Sequence, residues 1–339
     1  MTIELAADRS RVEFGDCRET MRRWAADGVK VQTCVTSPPY FGLRDYGHEG
    51  QIGLEPTPEA YIAAMVEVFR CVRDVLADDG TLWLNIGDSY AGGGGYAPNA
   101  PCNQRRENGE SWGAMNSFRV EQGAARKKAR PGHVPQGLKP KDLIGIPWML
   151  AFALRADGWY LRQDIIWHKP NPMPESVRDR CTKAHEYIFL LSKSERYYFD
   201  SHAIAEPAQY FGKDNRSGKG NIRYEGKRTE GDAKANGQQS FVTINETRNK
   251  RSVWTVTTKP YKGAHFATFP PDLIEPCILA GSRQGDVVLD PFMGSGTTAQ
   301  VAVQHGRQYL GCELNPAYEL LQRSRLSGLQ MTLEVDRGD

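Results

Sequence analysis

Residues 287–298 read VVLDPFMGSGTT, and this stretch decides the fold of the 339-residue chain. The apolar run Val287 to Leu289 predicts a short buried strand. Gly294 opens a turn, and a helix is expected over about residues 296–306. Glycines in such a turn let the backbone approach a ligand closely and expose amide donors. The stretch therefore predicts a strand, a ligand-binding turn and a helix in that order.

An acidic residue follows the next predicted strand. That strand covers residues 308–312, and Glu313 comes directly after it, about twenty residues beyond Gly294. An acid at this place accepts hydrogen bonds from ribose hydroxyl groups in folds of this topology. The turn lacks the third glycine of a dinucleotide site, because Thr-Thr-Ala follows Gly296, and it lacks the lysine of a P-loop. Both phosphate-binding interpretations are therefore weak.

Predicted strands and helices alternate along the rest of the chain. The alternation predicts an α/β fold with a mostly parallel, doubly wound sheet. A turn is expected at Asp78-Asp79-Gly80, and Tyr197 to Phe199 is a candidate for strand pairing. The further predicted strands are 12–15, 31–35, 81–86, 160–167 and 186–192, and the further predicted helices are 18–27, 58–77, 143–156, 271–280 and 316–327.

The composition is ordinary for a soluble globular protein, with 25% charged and 40% hydrophobic residues. No apolar run approaches the length of a membrane span, and residues 1–12 carry charges without an apolar signal core. The sequence therefore predicts a cytoplasmic protein that does not engage a membrane. Its seven cysteines are scattered, odd in number and without CxxC spacing, which favours free thiols and predicts no metal site.

The net charge of +2 hides a segregation of charge. Residues 91–141 hold nine Lys/Arg against three Asp/Glu, and residues 200–262 hold twelve against seven. Both segments are polar, so little in them could fill a core. Two basic segments on an otherwise acidic body suit a polyanion partner, although two solvated insertions that happen to be basic would look the same.

The tetrad Ser37-Pro38-Pro39-Tyr40 follows the predicted strand 31–35. Neither proline has an N–H group for a sheet ladder, so the chain must leave the sheet in a stiff, extended turn. A hydroxyl group precedes that turn and an aromatic ring follows it. Rigid carbonyl groups, one small polar side chain and one stacking face suit the capture of a flat ring that carries an amine.

The tetrad resembles the catalytic motif of the DNA amino-methyltransferases, and DPFMGSGTT at 290–298 resembles their S-adenosylmethionine motif. The tetrad comes first, which is similar to the beta arrangement of the family, a circular permutation in which the catalytic half leads. The resemblance implies a circularly permuted Rossmann-like methyltransferase fold with basic insertions for DNA recognition. GDC at 15–17, HFATFP at 265–270 and the segment 167–194 look like further family segments, and the resemblance covers residues 11–90, 142–200 and 263–320.

The composition and the resemblance together divide the chain into five segments. They are the catalytic half at 1–90, a basic loop insertion that contacts DNA at 91–141, a continuation of the methyltransferase domain at 142–200, a candidate target-recognition region at 201–262, and the cofactor-binding half at 263–339.

S-adenosyl-L-methionine is the cofactor that the resemblance implies. The glycine turn would hold its methionine moiety, and Glu313 would hold its ribose. Asp16 would lie near its adenine, or serve as a helix N-cap, or do both. The cofactor-binding residues implied in this way are Asp16, Phe266, Thr268, Asp290, Pro291, Phe292, Gly294, Ser295, Gly296, Thr297, Thr298, Glu313 and Asn315.

The tetrad residues Ser37, Pro38, Pro39 and Tyr40 would carry the catalysis. The Ser37 hydroxyl and the Pro38 carbonyl would accept the hydrogens of an exocyclic amine and direct its lone pair at the methyl group, while Tyr40 would stack on the base. A base inside a duplex must first be flipped out. Candidate residues to help are Trp167, Phe41 and Tyr46, although ordinary sheet packing explains Trp167 at least as well.

The resemblance implies double-stranded DNA as the partner, with a second copy of the chain and a cognate restriction endonuclease as further candidates. The densest basic clusters are expected to contact the DNA backbone, and they consist of Arg126, Lys127, Lys128, Arg248, Lys250 and Arg251. The leading interpretation is a cytosine-N4 methyltransferase, because serine at the first tetrad position is more typical of such enzymes. An adenine-N6 enzyme is the alternative. An RNA or protein amide methyltransferase, or a DNA-binding relative without activity, fits less well.

Overall fold

The computed structural model describes residues 10–43, 48, 50–92, 134, 135, 137–208, 246–258 and 269–335, with side chains as far as residue 327. The chain divides into two compact units. One unit combines residues 1–200 with residues 252–339, and the other consists of residues 201–251.

The described elements alternate much as the sequence predicts. The strands are β1 (Arg11–Phe14), β2 (Val31–Thr36), β3 (Leu76–Ile86), β4 (Tyr160–His168), β5 (His185–Ser192), β6 (Glu206–Pro207), β7 (Thr247–Arg248), β8 (Val253–Thr255), β9 (Val287–Asp290) and β10 (Gln308–Glu313). The helices are α1 (Cys17–Ala26), α2 (Pro58–Val75), α3 (Ile146–Ala156), α4 (Pro271–Gly281), α5 (Thr297–Gln304) and α6 (Glu319–Val335), and a 3-10 turn covers Pro316–Tyr318.

Eight strands form one sheet in the order β1-β10-β9-β2-β3-β5-β4-β8. Parallel pairing joins β1, β10, β9, β2 and β3, whereas β5 runs antiparallel to both β3 and β4. In the chain, β9 and β10 come last, yet in the sheet they lie between β1 and β2. This arrangement confirms the permuted, mostly parallel α/β fold that the sequence predicts.

Helices cover the sheet in two rows, which is the doubly wound arrangement. Helices α1, α2 and α3 pack side by side against the main core cluster, and α4, α5 and α6 form the second row. Successive side chains of β2 point to opposite faces of the sheet, so both rows of helices pack against it. Cys34 belongs to the core cluster on the side of the first row, and Val35 is buried outside that cluster. Among the described helices, none is long and apolar enough to cross a membrane.

The prediction of a turn at Asp78-Asp79-Gly80 is wrong. These residues belong to β3, whose pairing with β2 shifts from Leu76 beside Val31 to Thr81 beside Thr33. The extra residues form an irregularity in the strand, and a Cβ atom at Gly80 would lie 2.5 Å from the Leu76 side chain. Residues elsewhere in the chain bond to the polar groups of this bulge. For example, the Lys193 ammonium pairs with the Asp78 carboxylate at 3.0 Å.

Two further differences concern strand pairing at the edges. Tyr197 to Phe199 forms no strand, although the Tyr198 amide donates one hydrogen bond to the Asp79 carbonyl at 2.8 Å. Strand β8 has no counterpart in the sequence-based prediction, which treats residues 201–262 as one polar segment. Its pairing with β4 is parallel and places Trp254 beside Trp167 at the outer edge of the sheet.

Candidate active site

Strands β9 and β2 are neighbours in the sheet, and the direction in which the chain winds reverses between them. From β9 the next strand β10 lies on one side, and from β2 the next strand β3 lies on the other. Ligands of such sheets bind outside the carboxyl ends of the strands at this switch point. Asp290 ends β9 and Ser37 follows β2, so the two sequence motifs meet at the expected place.

The Asp290 carboxylate connects the two motifs directly. Its Oδ1 accepts a hydrogen bond from the Thr36 hydroxyl at 2.6 Å and from the Phe292 amide at 3.0 Å. Its Oδ2 accepts from the Thr298 hydroxyl at 2.6 Å. Burial raises the pKa of Asp290 from 3.8 to about 6, against the opposing effect of these hydrogen bonds. Asp290 therefore holds the glycine turn to the residue that precedes the tetrad.

The glycine turn is held in shape from several sides. Gly294 and Gly296 have φ values of 53° and 86°, which residues with a side chain rarely adopt. The Gly294 carbonyl accepts a hydrogen bond from the Gln322 side chain of α6 at 2.8 Å. The Ser295 hydroxyl is 1% exposed and has no hydrogen-bond partner among the described residues. A buried hydroxyl without a partner in the protein can bond to a polar ligand beside the turn.

Two carboxylates flank the turn at the ends of β10 and β1. Glu313 accepts hydrogen bonds from the Gly294 amide at 2.7 Å and from the Asn315 amide at 2.8 Å, and burial raises its pKa from 4.5 to about 7. Asp16 caps α1 through the Arg18 amide at 2.7 Å and forms an ion pair with the Arg18 side chain, which lowers the pKa of Asp16. The N-cap role of Asp16 is confirmed, and its contact with adenine stays a prediction.

These groups fit S-adenosylmethionine. A carboxylate offers about four acceptor positions, and Glu313 uses two of them within the protein, which leaves capacity for ribose hydroxyl groups. The side chain of Asn315 instead accepts from the Ala317 amide at 2.9 Å and begins the 3-10 turn. The glycines of the turn leave space for the ligand, the Ser295 hydroxyl can bond to it, and Glu313 can accept hydrogen bonds from its ribose. These are the groups that such a ligand needs.

The tetrad is fixed by residues on neighbouring elements. The Pro39 carbonyl accepts a hydrogen bond from the Tyr61 hydroxyl of α2 at 2.9 Å. Among the described residues, no group donates a hydrogen bond to the carbonyl of Pro38, which is itself buried. The Tyr40 hydroxyl donates to Glu186 Oε2 at 2.8 Å, and the Tyr40 ring lies against Gly87, where a Cβ atom would come within 2.7 Å of Cε2.

Glu186 and Lys169 form an ion pair behind Tyr40. Both side chains are 18% exposed, and the Lys169 ammonium contacts Glu186 Oε1 while also lying 4.2 Å from the centroid of the Trp167 ring. The Asn85 side chain donates to Glu186 Oε2 at 3.4 Å and to the Tyr187 carbonyl at 3.1 Å. Burial, and then the negative charge of Glu186, raise the pKa of Tyr40 well above its usual value, so its hydroxyl remains a donor.

The candidates for base flipping are placed differently from one another. Phe41 is 2% exposed and packs against Tyr61 in the core. Trp167 is 4% exposed and donates its ring N–H to the Val256 carbonyl at 2.8 Å, as ordinary sheet packing would predict. Both rings are buried against protein. Tyr46 lies outside the described residues, as do Phe266, Thr268, Arg126, Lys127 and Lys128.

The described basic residues of the second segment lie in the unit 201–251. Arg248 and Arg251 both pair with Glu206, at 3.2 Å and 2.8 Å. Strands β6 and β7 bring these residues together, because Glu206 lies opposite Arg248 in the antiparallel pair. Lys250 also belongs to this unit. The DNA contacts of all three basic residues stay a prediction.

Sequence reasoning missed several residues that shape the site. Gly87, Asn85 and Glu186 contact Tyr40, Lys169 pairs with Glu186, and Gln322 holds the glycine turn. The available signals are the polar Glu186 near the start of a strand with an apolar centre, and Gly87 directly after β3. Neither signal indicates a partner, because the contacts with Tyr40 join residues far apart in the chain.

Comparison with known proteins agrees with this geometry. The sequence profile of the DNA methylase family, which comprises the N6 and N4 methyltransferases, matches residues 31–322. The chain is 46% identical over 316 residues to Type II methyltransferase M.Cfr9I of Citrobacter freundii, covering 93% of this chain and 86% of the relative. It is also 46% identical over 316 residues to Type II methyltransferase M.SmaI of Serratia marcescens, covering 93% and 90%.

Solved structures share the fold. The PvuII DNA methyltransferase, which is cytosine-N4-specific, superposes with a TM-score of 0.55 at 15% identity, over 93% of this chain and 85% of that one. The M1.HpyAVI–SAM complex superposes with a TM-score of 0.51 at 16% identity, over 93% and 98%. The permuted sheet, the joined motifs and the matching profile lead to one conclusion: the chain belongs to the N6/N4 DNA methylase family, whose members are S-adenosylmethionine-dependent DNA methyltransferases.

Proposed function

We propose that this chain transfers the methyl group of S-adenosylmethionine to the N4 amine of a cytosine that is flipped out of double-stranded DNA. One observation carries the proposal: the tetrad and the glycine turn lie at the ends of adjacent strands, and the 2.6 Å bond from Thr36 to Asp290 ties them together. A cofactor beside the turn and a base beside the tetrad would then share one crevice.

S-adenosylmethionine supplies an electrophilic methyl group when it is bound. An exocyclic aromatic amine is a poor nucleophile, because its lone pair is delocalised into the ring. The Ser37 hydroxyl and the Pro38 carbonyl accept hydrogen bonds from the two amine N–H groups and so localise the lone pair on nitrogen, and one of these protons is released to solvent once the methyl group has been transferred. Because the Pro39 carbonyl is occupied by Tyr61, Pro38 supplies the carbonyl acceptor of the tetrad. The benefit is alignment and electrostatic stabilisation within a preorganised site.

The target base reaches this pocket only by leaving the duplex, which costs a few kcal/mol. Stacking on Tyr40 offsets part of that cost. Arg248, Lys250 and Arg251, together with the cluster at residues 126–128, provide phosphate contacts that hold the duplex while the base is extruded. Phosphate contacts of this kind predict affinity that falls steeply with salt, and DNA binding measured over a range of salt concentrations tests this.

The serine at the first tetrad position supports cytosine-N4 as the target, with adenine-N6 as the alternative. The test is to incubate plasmid DNA with the enzyme and S-adenosylmethionine, digest the DNA to nucleosides and identify the product by mass spectrometry. N4-methylcytosine supports the proposal, whereas N6-methyladenine replaces it with the alternative. Absence of any methylated nucleoside, with methylation of RNA or protein instead, would contradict DNA as the substrate. Full activity of Ser37→Ala would contradict the assignment of Ser37.

The Type II relatives suggest a biological setting. We propose that the enzyme is cytoplasmic, protects DNA against a cognate restriction endonuclease and works as a homodimer. Protection of methylated plasmid against digestion by a candidate endonuclease tests the pairing. Sedimentation of the full chain with and without DNA tests the dimer.

A further inference from the structure

Glu186 lies where two parts of the base pocket meet. Its Oε1 contacts the Lys169 ammonium, and its Oε2 accepts the hydrogen bond from the Tyr40 hydroxyl at 2.8 Å. The carboxylate therefore divides its two oxygens between a cation and the last residue of the tetrad. A hydrogen bond to an ionised acceptor is roughly twice as strong as one between neutral groups, and the cation on the far side fixes the acceptor in place.

The surrounding backbone is shaped to allow this contact. At Gly87 a Cβ atom would lie 2.7 Å from Tyr40 Cε2 and 3.3 Å from Glu186 Cγ and Cδ. Only glycine therefore lets the ring and the carboxylate approach the end of β3 together. Asn85 adds a second donor to Glu186 Oε2 at 3.4 Å, and its anchoring to the Tyr187 carbonyl keeps that donor oriented.

The Tyr40 hydroxyl has two possible acceptors. It lies 2.8 Å from Glu186 Oε2 and 3.4 Å from Asn85 Oδ1. Because a phenol has a single proton, the shorter contact with the ion-paired carboxylate takes it. The hydroxyl end of the Tyr40 ring is therefore anchored to Glu186.

We propose that Glu186, held by Lys169, is a positioning residue for methyl transfer: it anchors the Tyr40 hydroxyl, so that the Tyr40 ring is held in the orientation that stacks on the target base. The inference rests on the proposed function, because it uses the stacking role given there to Tyr40. Glu186 acts through Tyr40 and needs no contact with the base.

A double-mutant cycle on the full-length enzyme tests this inference. Glu186→Gln, Tyr40→Phe and the double variant are compared with wild type in transfer of tritiated methyl groups to plasmid DNA. Glutamine removes the charge that pairs with Lys169 and strengthens the bond from the Tyr40 hydroxyl, and phenylalanine keeps the Tyr40 ring but removes its hydroxyl. Each single variant should lower kcat about 10-fold or more, with the KM for S-adenosylmethionine unchanged. The double variant should be no slower than the slower single variant.

The control is Glu275→Gln on α4. It removes a carboxylate whose Oε1 lies 3.1 Å from His305 Nε2, and it should retain wild-type kcat. Tyr40→Phe leaves the Lys169–Glu186 pair intact. It therefore tests the bond between Tyr40 and Glu186 even if Glu186→Gln lowers thermal stability. Wild-type kcat in either single variant would overturn the inference. Multiplying effects in the double variant would also overturn it, because Glu186 would then act independently of Tyr40. If wild type forms a methylated base other than N4-methylcytosine, only the proposed function is overturned. The mutant cycle still tests Glu186, because it measures methyl transfer to any base of the plasmid.

Discussion

Replacing Asp290 by asparagine should change how the stability of this enzyme depends on pH. The carboxylate is 2% exposed, and its pKa rises from 3.8 to about 6 because burial disfavours the charge. The native state therefore holds the proton more tightly than the unfolded state does. The free energy of unfolding falls as the pH rises from 3.8 to about 6 and then stays level with respect to this group.

The size of the effect follows from the shift. One pKa unit corresponds to about 1.4 kcal/mol, so ionised Asp290 costs the native state roughly 3 kcal/mol at neutral pH. Asparagine can keep the same bonds without ionising. Its carbonyl oxygen can accept from Thr36 and Phe292, and its amide can donate to Thr298, whose hydroxyl can turn to the Val35 carbonyl at 3.3 Å.

The assay is urea unfolding without cofactor, followed by tryptophan fluorescence between about pH 4.5 and pH 7.5. Between these limits wild type should lose about 2 kcal/mol that Asp290→Asn does not lose. Glu313 also titrates in this range but is present in both proteins, so the difference between the two profiles belongs to Asp290. Asp290→Ala should be less stable at every pH, because three donors lose their acceptor. Parallel profiles for wild type and Asp290→Asn would refute the reasoning.

Three further substitutions test individual contacts. Gly87→Ala places a Cβ atom 2.7 Å from Tyr40 Cε2, so methyl transfer should fall about 10-fold or more while cofactor affinity, measured by calorimetry, is retained. Glu313→Gln should weaken S-adenosylmethionine binding about 10-fold, and wild-type affinity in the same titration would count against the ribose assignment. Gly311→Ala places a Cβ atom 2.3 Å from Met293 Cε and 3.2 Å from its Cβ, so thermal unfolding should show a loss of about 1–3 kcal/mol, together with weaker cofactor binding.

The sequence predicts the parts of this site that are local in the chain. The strand, turn and helix at residues 287–304 and the tetrad after β2 are each encoded within a few consecutive residues. Glycine, proline and apolar periodicity are short-range signals, so these units can be read without the fold. The carboxyl-end position of Glu313 follows for the same reason, because the next strand ends there.

The contacts that connect those units could not be predicted in this way. Tyr40 and Glu186 are 146 residues apart in sequence, and Thr36 and Asp290 are 254 apart. Such pairs depend on strand order and register, which local patterns do not encode. The bulge at residues 77–80 is a related case: Asp-Asp-Gly is a common turn sequence, and here residues 193, 194 and 198, far along the chain, bond to it.

The bonds of Asp290 explain how a chain with this permuted order builds one site. Each half of the site is a local unit, and adjacent parallel strands bring the two units together in whichever order the chain supplies them. Side-chain bonds through Asp290 then fix their relative position, because they join the residue before the tetrad to the first turn of α5. A change at Asp290 should therefore disturb the alignment of methyl donor and amine more than the binding of either. In Asp290→Ala, which removes these bonds, kcat should fall more than either KM rises, whereas a change confined to the KM for S-adenosylmethionine would mean that Asp290 serves the cofactor turn alone.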